Sequence, residues 1–94
     1  MMTTTQTASV TEYSIAFRNW QGVLREIDVF TAESQSEAWG IVNQRINDFC
    51  AERGFKIYYV NVHNHDDTTI MDVGSHSEFF HITPAIPFEA MHDE

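Results

Sequence analysis

The chain has few of the residues that cross-link a protein, bend it or give it positive charge. Its 94 residues include one cysteine, two prolines, four glycines and only five lysines and arginines. A single cysteine allows no intramolecular disulfide, and a cysteine-based zinc site would need a second chain. No apolar run approaches the ~20 residues that a membrane-spanning helix needs. Residues 1–9 lack the basic start and apolar run of a secretory signal, so we expect a cytoplasmic protein.

The scarcity of positive charge is accompanied by an excess of negative charge. Fourteen Asp and Glu residues against five Lys and Arg give a formal net charge of −9 and a pI near 4.7. Nucleic-acid backbones and anionic membranes are bound by clusters of Lys and Arg, so we expect no direct contact with either. The charge would steer the chain toward a basic protein partner, or it only keeps a small protein soluble.

Motifs for nucleotide chemistry and nucleophilic catalysis are also missing. The glycines at positions 22, 40, 54 and 74 are too scattered to form a phosphate-binding loop, and no nucleophile-elbow motif occurs. Cys50 falls on the apolar stripe of a predicted helix, near the C-terminal end, where the helix dipole raises a thiol pKa. We therefore predict a buried structural cysteine and no cofactor.

Alternating apolar and polar residues predict two strands joined by a tight turn. Tyr13, Ile15 and Phe17 would share one face of a strand that starts at Glu12. Gly22 indicates a hairpin turn over 19–22, because glycine takes the positive φ that a tight reversal needs. In the second strand, over 23–31, one face would carry Val23, Ile27 and Val29, and the other Leu24, Glu26, Asp28 and Phe30.

A helix and further strands complete the predicted domain. Ser34 and Glu37 form a capping box, and Gly54 ends the helix. Residues 55–62 are apolar on both faces, which indicates a buried central strand. Residues 70–83 indicate one more strand, interrupted near Gly74. The apolar stripe of the helix comprises Ala38, Trp39, Val42, Ile46, Phe49 and Cys50.

These elements predict an α+β fold. The sheet is small, antiparallel or mixed, in β-β-α-β-β order, and one amphipathic helix is expected to pack on one of its faces. The predicted domain covers residues 12–83, between a flexible N-terminal arm over 1–11 and an acidic C-terminal tail over 84–94.

Potential metal ligands are concentrated in the last third of the chain. His63 and His65 occupy alternate positions and would share a strand face, and Asp66, His76 and His81 lie close in sequence. The spacing matches no known metal motif, and residues 64–67 also have the composition of an ordinary polar turn. A metal-binding protein or metal-dependent enzyme is therefore the alternative hypothesis rather than the first.

The first hypothesis is a surface that binds a protein. In the predicted register, acidic and aromatic side chains share the sheet face that the helix leaves open, and Trp20 stands beside that face. Aromatic residues and arginine are frequent anchors of protein interfaces. The alternative is an uncovered sheet face with some unavoidable apolar exposure. The candidate partner-binding residues are Arg18, Trp20, Glu26, Asp28, Phe30 and Tyr59.

Charge and size together predict a non-enzymatic binding module. Small acidic inhibitors have this size and charge, including phage-encoded ones that occupy nucleic-acid sites on host or defence proteins. We therefore expect a basic or nucleic-acid-binding protein as partner, or a second copy of this chain bound through the sheet face or an edge strand.

Overall fold

The computed structural model describes residues 10–74 and 77–87, which form one antiparallel sheet and one helix. The sheet order is β2-β1-β5-β4-β3, so β2 and β3 are its two edges. The α+β fold class and the antiparallel sheet are confirmed. The elements are β1 (Thr11–Arg18), β2 (Leu24–Ala32), α1 (Gln35–Arg53), β3 (Asn61–His65), β4 (Thr68–Asp72) and β5 (Phe79–Thr83).

Local sequence determines where β1 ends and where the helix begins. Asn19 Oδ1 accepts the backbone N–H groups of Gln21 (2.9 Å) and Val23 (3.0 Å), and Gly22 takes a φ of 85°. These bonds close the β1–β2 hairpin at the predicted place. Ser34 caps the helix as predicted, because its hydroxyl accepts from Glu37 N–H. The Glu37 carboxylate accepts from Glu33 N–H, one residue before the predicted cap position.

The core lies between the helix and one face of the sheet. Phe17 of β1 and Phe80 of β5 both contact Phe49 of the helix, with ring centroids 5.0 and 5.7 Å apart. The residues of α1 that are buried in this core are Ala38, Trp39, Val42, Ile46 and Cys50. Residues 10–74 and 77–87 contain no helix that is long and apolar enough to cross a membrane.

The prediction of a buried central strand over 55–62 was wrong. Only Asn61–His65 is a strand, at the sheet edge, and Tyr58, Tyr59 and Val60 are 68%, 49% and 50% exposed. The first residue of this apolar run has a different role from a strand residue. Phe55 N–H bonds to the Cys50 carbonyl, and Gly54 before it is left-handed (φ 75°). This is a helix C-cap, in which an apolar residue after the glycine packs back on the core.

The last strand predicted from the sequence is two strands. Gly74 (φ 98°) follows β4, and its N–H bonds to Asp72 Oδ1 at 2.8 Å, so the chain leaves the ladder at this point. A side chain at Gly74 would lie 2.9 Å from Tyr58 Cβ, so only glycine fits without a shift. β5 then returns antiparallel to β4, between β4 and β1.

Residues 84–87, assigned to the C-terminal tail from the sequence, pack against the domain. Ile86 is fully buried, and the Pro87 carbonyl accepts from Trp39 Nε1 at 3.4 Å. The hydroxyl of buried Thr69 accepts from Ile86 N–H at 2.8 Å and donates to Asn64 Oδ1 at 2.6 Å. The predicted N-terminal arm ran over 1–11, but Thr11 is the first residue of β1. Residues 1–9 and the remainder of the predicted tail lie outside the described residues.

Replacement of Thr69 by valine should destabilise the protein by about 1–3 kcal/mol, because it leaves the buried Ile86 N–H without an acceptor. The change nearly preserves shape, so lost packing contributes little. Thr31→Val is the matched control, because Thr31 is exposed on a strand of the same sheet. Chemical denaturation of both variants measures the difference, and equal losses would contradict the role of the Thr69 hydroxyl.

Candidate functional site

A bulge in β2 decides which of its side chains are available to a partner. Ile15 pairs with Asp28 and Ala16 pairs with Glu26, so Ile27 is an extra residue without an opposite partner. Side chains alternate faces along a regular strand, and one extra residue inverts the alternation beyond it. Leu24 and Glu26 therefore lie on the open face of the sheet, whereas Asp28 and every second residue after it face the helix.

Two of the predicted partner-binding residues, Asp28 and Phe30, consequently lie on the helix side of the sheet instead of its open face. Phe30 is 8% exposed and stacks on Tyr13, with ring centroids 5.3 Å apart. Asp28 forms an ion pair with Arg45 of the helix. Both belong to the contact between sheet and helix. The prediction failed because it assumed uninterrupted alternation through Ile27.

Tyr59 is exposed but lies far from the other candidates. It precedes β3 at one edge of the sheet, whereas Trp20 precedes β2 at the other edge. Four strand spacings of about 4.8 Å separate the two edges by roughly 19 Å. Tyr59 and Trp20 therefore do not form one compact anchor.

The remaining candidates lie together at the β1–β2 hairpin. Arg18 pairs with Leu24 on the open face, and its guanidinium lies 5.7 Å from the centroid of the Phe79 ring. Trp20 is 68% exposed at the turn, and Glu26 is exposed two residues after Leu24. The candidate residues omitted three exposed apolar neighbours: Leu24, which was predicted on this face, and Val23 and Val29, which were predicted on the other. Together with Trp20 and Glu26 they form what we call the β2 edge surface: Trp20, Val23, Leu24, Glu26 and Val29.

Two of the histidines meet on the open face. His63 of β3 and His81 of β5 both pair with Ile70 of β4, which places them in one row across three strands. They line a hollow of about 250 Å³ together with Arg18 and Phe79. This places two imidazoles and one guanidinium around an apolar floor.

The other predicted metal ligands are not seen next to His63 and His81. His65 and Asp66 contact each other across 3.6 Å in the exposed β3–β4 turn, and His76 lies outside the described residues. Within residues 10–74 and 77–87, no group of three or more His, Cys, Asp and Glu side chains is arranged to hold a metal ion. Cys50 is buried, and burial raises the pKa of its thiol.

The environment of His81 favours its neutral form. Burial lowers the pKa of His81, and the charges of Arg18 and His63 lower it further. Because the folded pKa lies below the unfolded value of about 6.5, the unfolded state binds more protons as the pH falls. The stability contributed by neutral His81 is therefore present above that value and is lost toward acidic pH.

Arg18→Gln should raise the pKa of His81, because it removes a nearby positive charge; NMR titration of the histidine ring protons measures the shift. His81→Gln should lose less stability than the original chain when the pH falls from about 7 to about 5. His65→Gln is the control and should lose as much stability as the original chain, since His65 is exposed in the turn. An unchanged His81 pKa in Arg18→Gln would contradict the charge contact.

Comparison with known proteins adds no functional information. No protein-family model, no curated protein and no solved structure matches this chain.

Proposed function

We propose that this chain is a non-enzymatic protein-binding module whose β2 edge surface docks on a basic protein, including one that itself binds nucleic acid. The observation that carries the proposal is a cluster of exposed apolar side chains along one sheet edge. Trp20, Val23, Leu24 and Val29 are 68%, 55%, 52% and 43% exposed within ten residues of sequence. Clustered exposure of this kind is typical of interaction surfaces.

Trp20 has the position expected of an interface anchor. Its backbone lies in a turn that is fixed on both sides by Asn19, whose side chain and main chain bond to Gln21, Gly22 and Val23. A large side chain on a rigid turn loses little conformational freedom on binding. Tryptophan is also among the residues that most often dominate binding energy.

The strand itself supports docking of side chains on the open face. Among the described residues, β2 is an edge strand of nine residues that pairs with β1 alone. The bulge at Ile27 interrupts its outer hydrogen-bonding edge, which disfavours continuous pairing with an added strand. Leu24 and Val29 then offer apolar contact on the open face, with the exposed carboxylate of Glu26 between them.

Charge supports a basic partner. The formal net charge of −9 produces a long-range negative field that accelerates encounter with positively charged surfaces. On the open face of the sheet, Glu26 of the β2 edge surface and Glu12 of β1 are both exposed. A partner that places Lys or Arg against these carboxylates and a pocket against Trp20 would match the surface in both respects.

Trp20→Ala should weaken partner binding by about thirtyfold or more, because truncating a buried anchor costs ~2 kcal/mol or more. The change should appear mainly as faster dissociation. Affinity capture from the native host identifies the partner, and surface plasmon resonance with the purified pair measures both rates. Tyr58→Ala is the matched control, since Tyr58 is also 68% exposed but precedes the opposite edge strand.

Glu26→Gln should reduce the association rate with little effect on dissociation, and the association rate of the unaltered chain should fall as salt rises. Glu52→Gln on the helix makes the same change of charge away from the surface and should have a smaller effect. Recovery of a partner whose binding ignores salt, Trp20 and Glu26 would refute the proposal, as would equal losses in Trp20→Ala and Tyr58→Ala.

A further inference from the structure

Charged residues of the helix and of β2 come together in two places. Near the middle of the helix, Arg45 forms an ion pair with Asp28 of β2. At the end of the helix, Arg53 lies at a hollow of about 180 Å³ that is also lined by Arg25 of β2. The ion pair joins opposite charges, whereas the hollow is lined by two residues of the same charge.

The fold explains how the two arginines reach this hollow. Arg25 pairs with Phe17 of β1, and paired residues lie on the same face of a sheet, so Arg25 is on the helix side. The bulge at Ile27 comes after Arg25 and does not alter this pairing. Arg53 is the last helical residue, and its guanidinium lies 4.6 Å from the Phe49 ring centroid and 6.0 Å from that of Phe17. The partial negative charge at the helix C-terminus favours Arg53 but does not account for Arg25.

Neither arginine is neutralised within the described chain. In residues 10–74 and 77–87, the carboxylate contacts of Lys and Arg are limited to the Arg45–Asp28 pair. The sequence contains fourteen carboxylates, so acidic partners are plentiful elsewhere. Like charges that line one hollow repel each other, and an anion bound in the hollow would attract both.

We propose that this hollow binds a small molecule that carries a carboxylate or phosphate group on an aromatic ring. Arginine has a planar fork of donors that binds either oxyanion through paired hydrogen bonds. Phe17 and Phe49 form the aromatic part of the lining, and Val23 and Ile27 add an aliphatic wall. The apolar lining accepts the ring, Arg25 and Arg53 hold the oxyanion, and the volume limits the ligand to about one ring.

The site is separate from the β2 edge surface except at Val23. Leu24, Glu26 and Val29 of that surface lie on the open face or edge of β2, whereas the hollow opens on the helix side. Ligand binding here does not require the protein partner proposed above. Trp20→Ala, which tests the partner, should leave the affinity of the hollow unchanged.

Phenyl phosphate and benzoate are the probes, titrated into the purified chain at constant ionic strength. We expect saturable NMR shifts of the Val23 and Ile27 methyl groups with either probe. Arg25→Gln and Arg53→Gln should each weaken binding about tenfold or more, because each removes a charged hydrogen-bond donor. Arg45→Gln is the matched control: it makes the same charge change at the ion-paired arginine and should leave affinity unchanged.

Three further comparisons make the test decisive. Arg25→Lys keeps the charge but loses the paired donors of the guanidinium, so it should bind the probes more weakly than the original chain. This variant replaces Arg25→Gln in the test if Arg25→Gln fails to fold. Inorganic phosphate lacks the ring and should bind more weakly than phenyl phosphate; equal affinity would refute the role of the apolar lining. The proposal is overturned if neither probe saturates, or if Arg25→Gln and Arg45→Gln lose affinity equally.

Discussion

The single extra residue in β2 governs the rest of this structure. Because Ile27 has no partner on β1, the strand inverts its faces there, and the two halves of β2 perform different tasks. Beyond the bulge, Asp28 and Phe30 meet Arg45 and Tyr13, which connects the edge strand to the helix and to the core. Before the bulge, Leu24 and Glu26 are on the open face. A regular strand of the same sequence could not supply both halves.

The same bulge explains why two side chains of β2 lie on the face opposite to the predicted one. Features encoded by a few adjacent residues were predicted correctly: the Asn19–Gly22 turn, the Ser34 N-cap and the glycine at the helix end. These depend on local hydrogen bonds and on φ preferences, which sequence expresses directly. The faces of Asp28 and Phe30 depend on pairing with β1, a non-local property that one inserted residue reverses.

The apolar run after the helix illustrates a second limit of sequence reasoning. Residues 55–62 have the composition of a buried strand, yet hydrophobicity alone does not specify what an apolar side chain packs against. Phe55 completes the helix C-cap, and Ile57 packs on the edge of the core. Tyr58 lies against Gly74, where its contact requires the absence of a side chain. Each of these contacts involves a residue that no periodicity in the segment could identify.

The positions of the five cationic side chains matter more for recognition than the net charge does. Only Arg45 has a carboxylate partner among the described residues, while Arg18, Arg53 and Lys56 lie over the rings of Phe79, Phe49 and Tyr58. A cation on an aromatic face keeps its charge available to a ligand, whereas an ion pair neutralises it. Net charge therefore sets the long-range field that a partner meets first. The local contacts that follow depend on where β1, β2 and the end of the helix place their arginines, so an acidic protein can still present a site for anions.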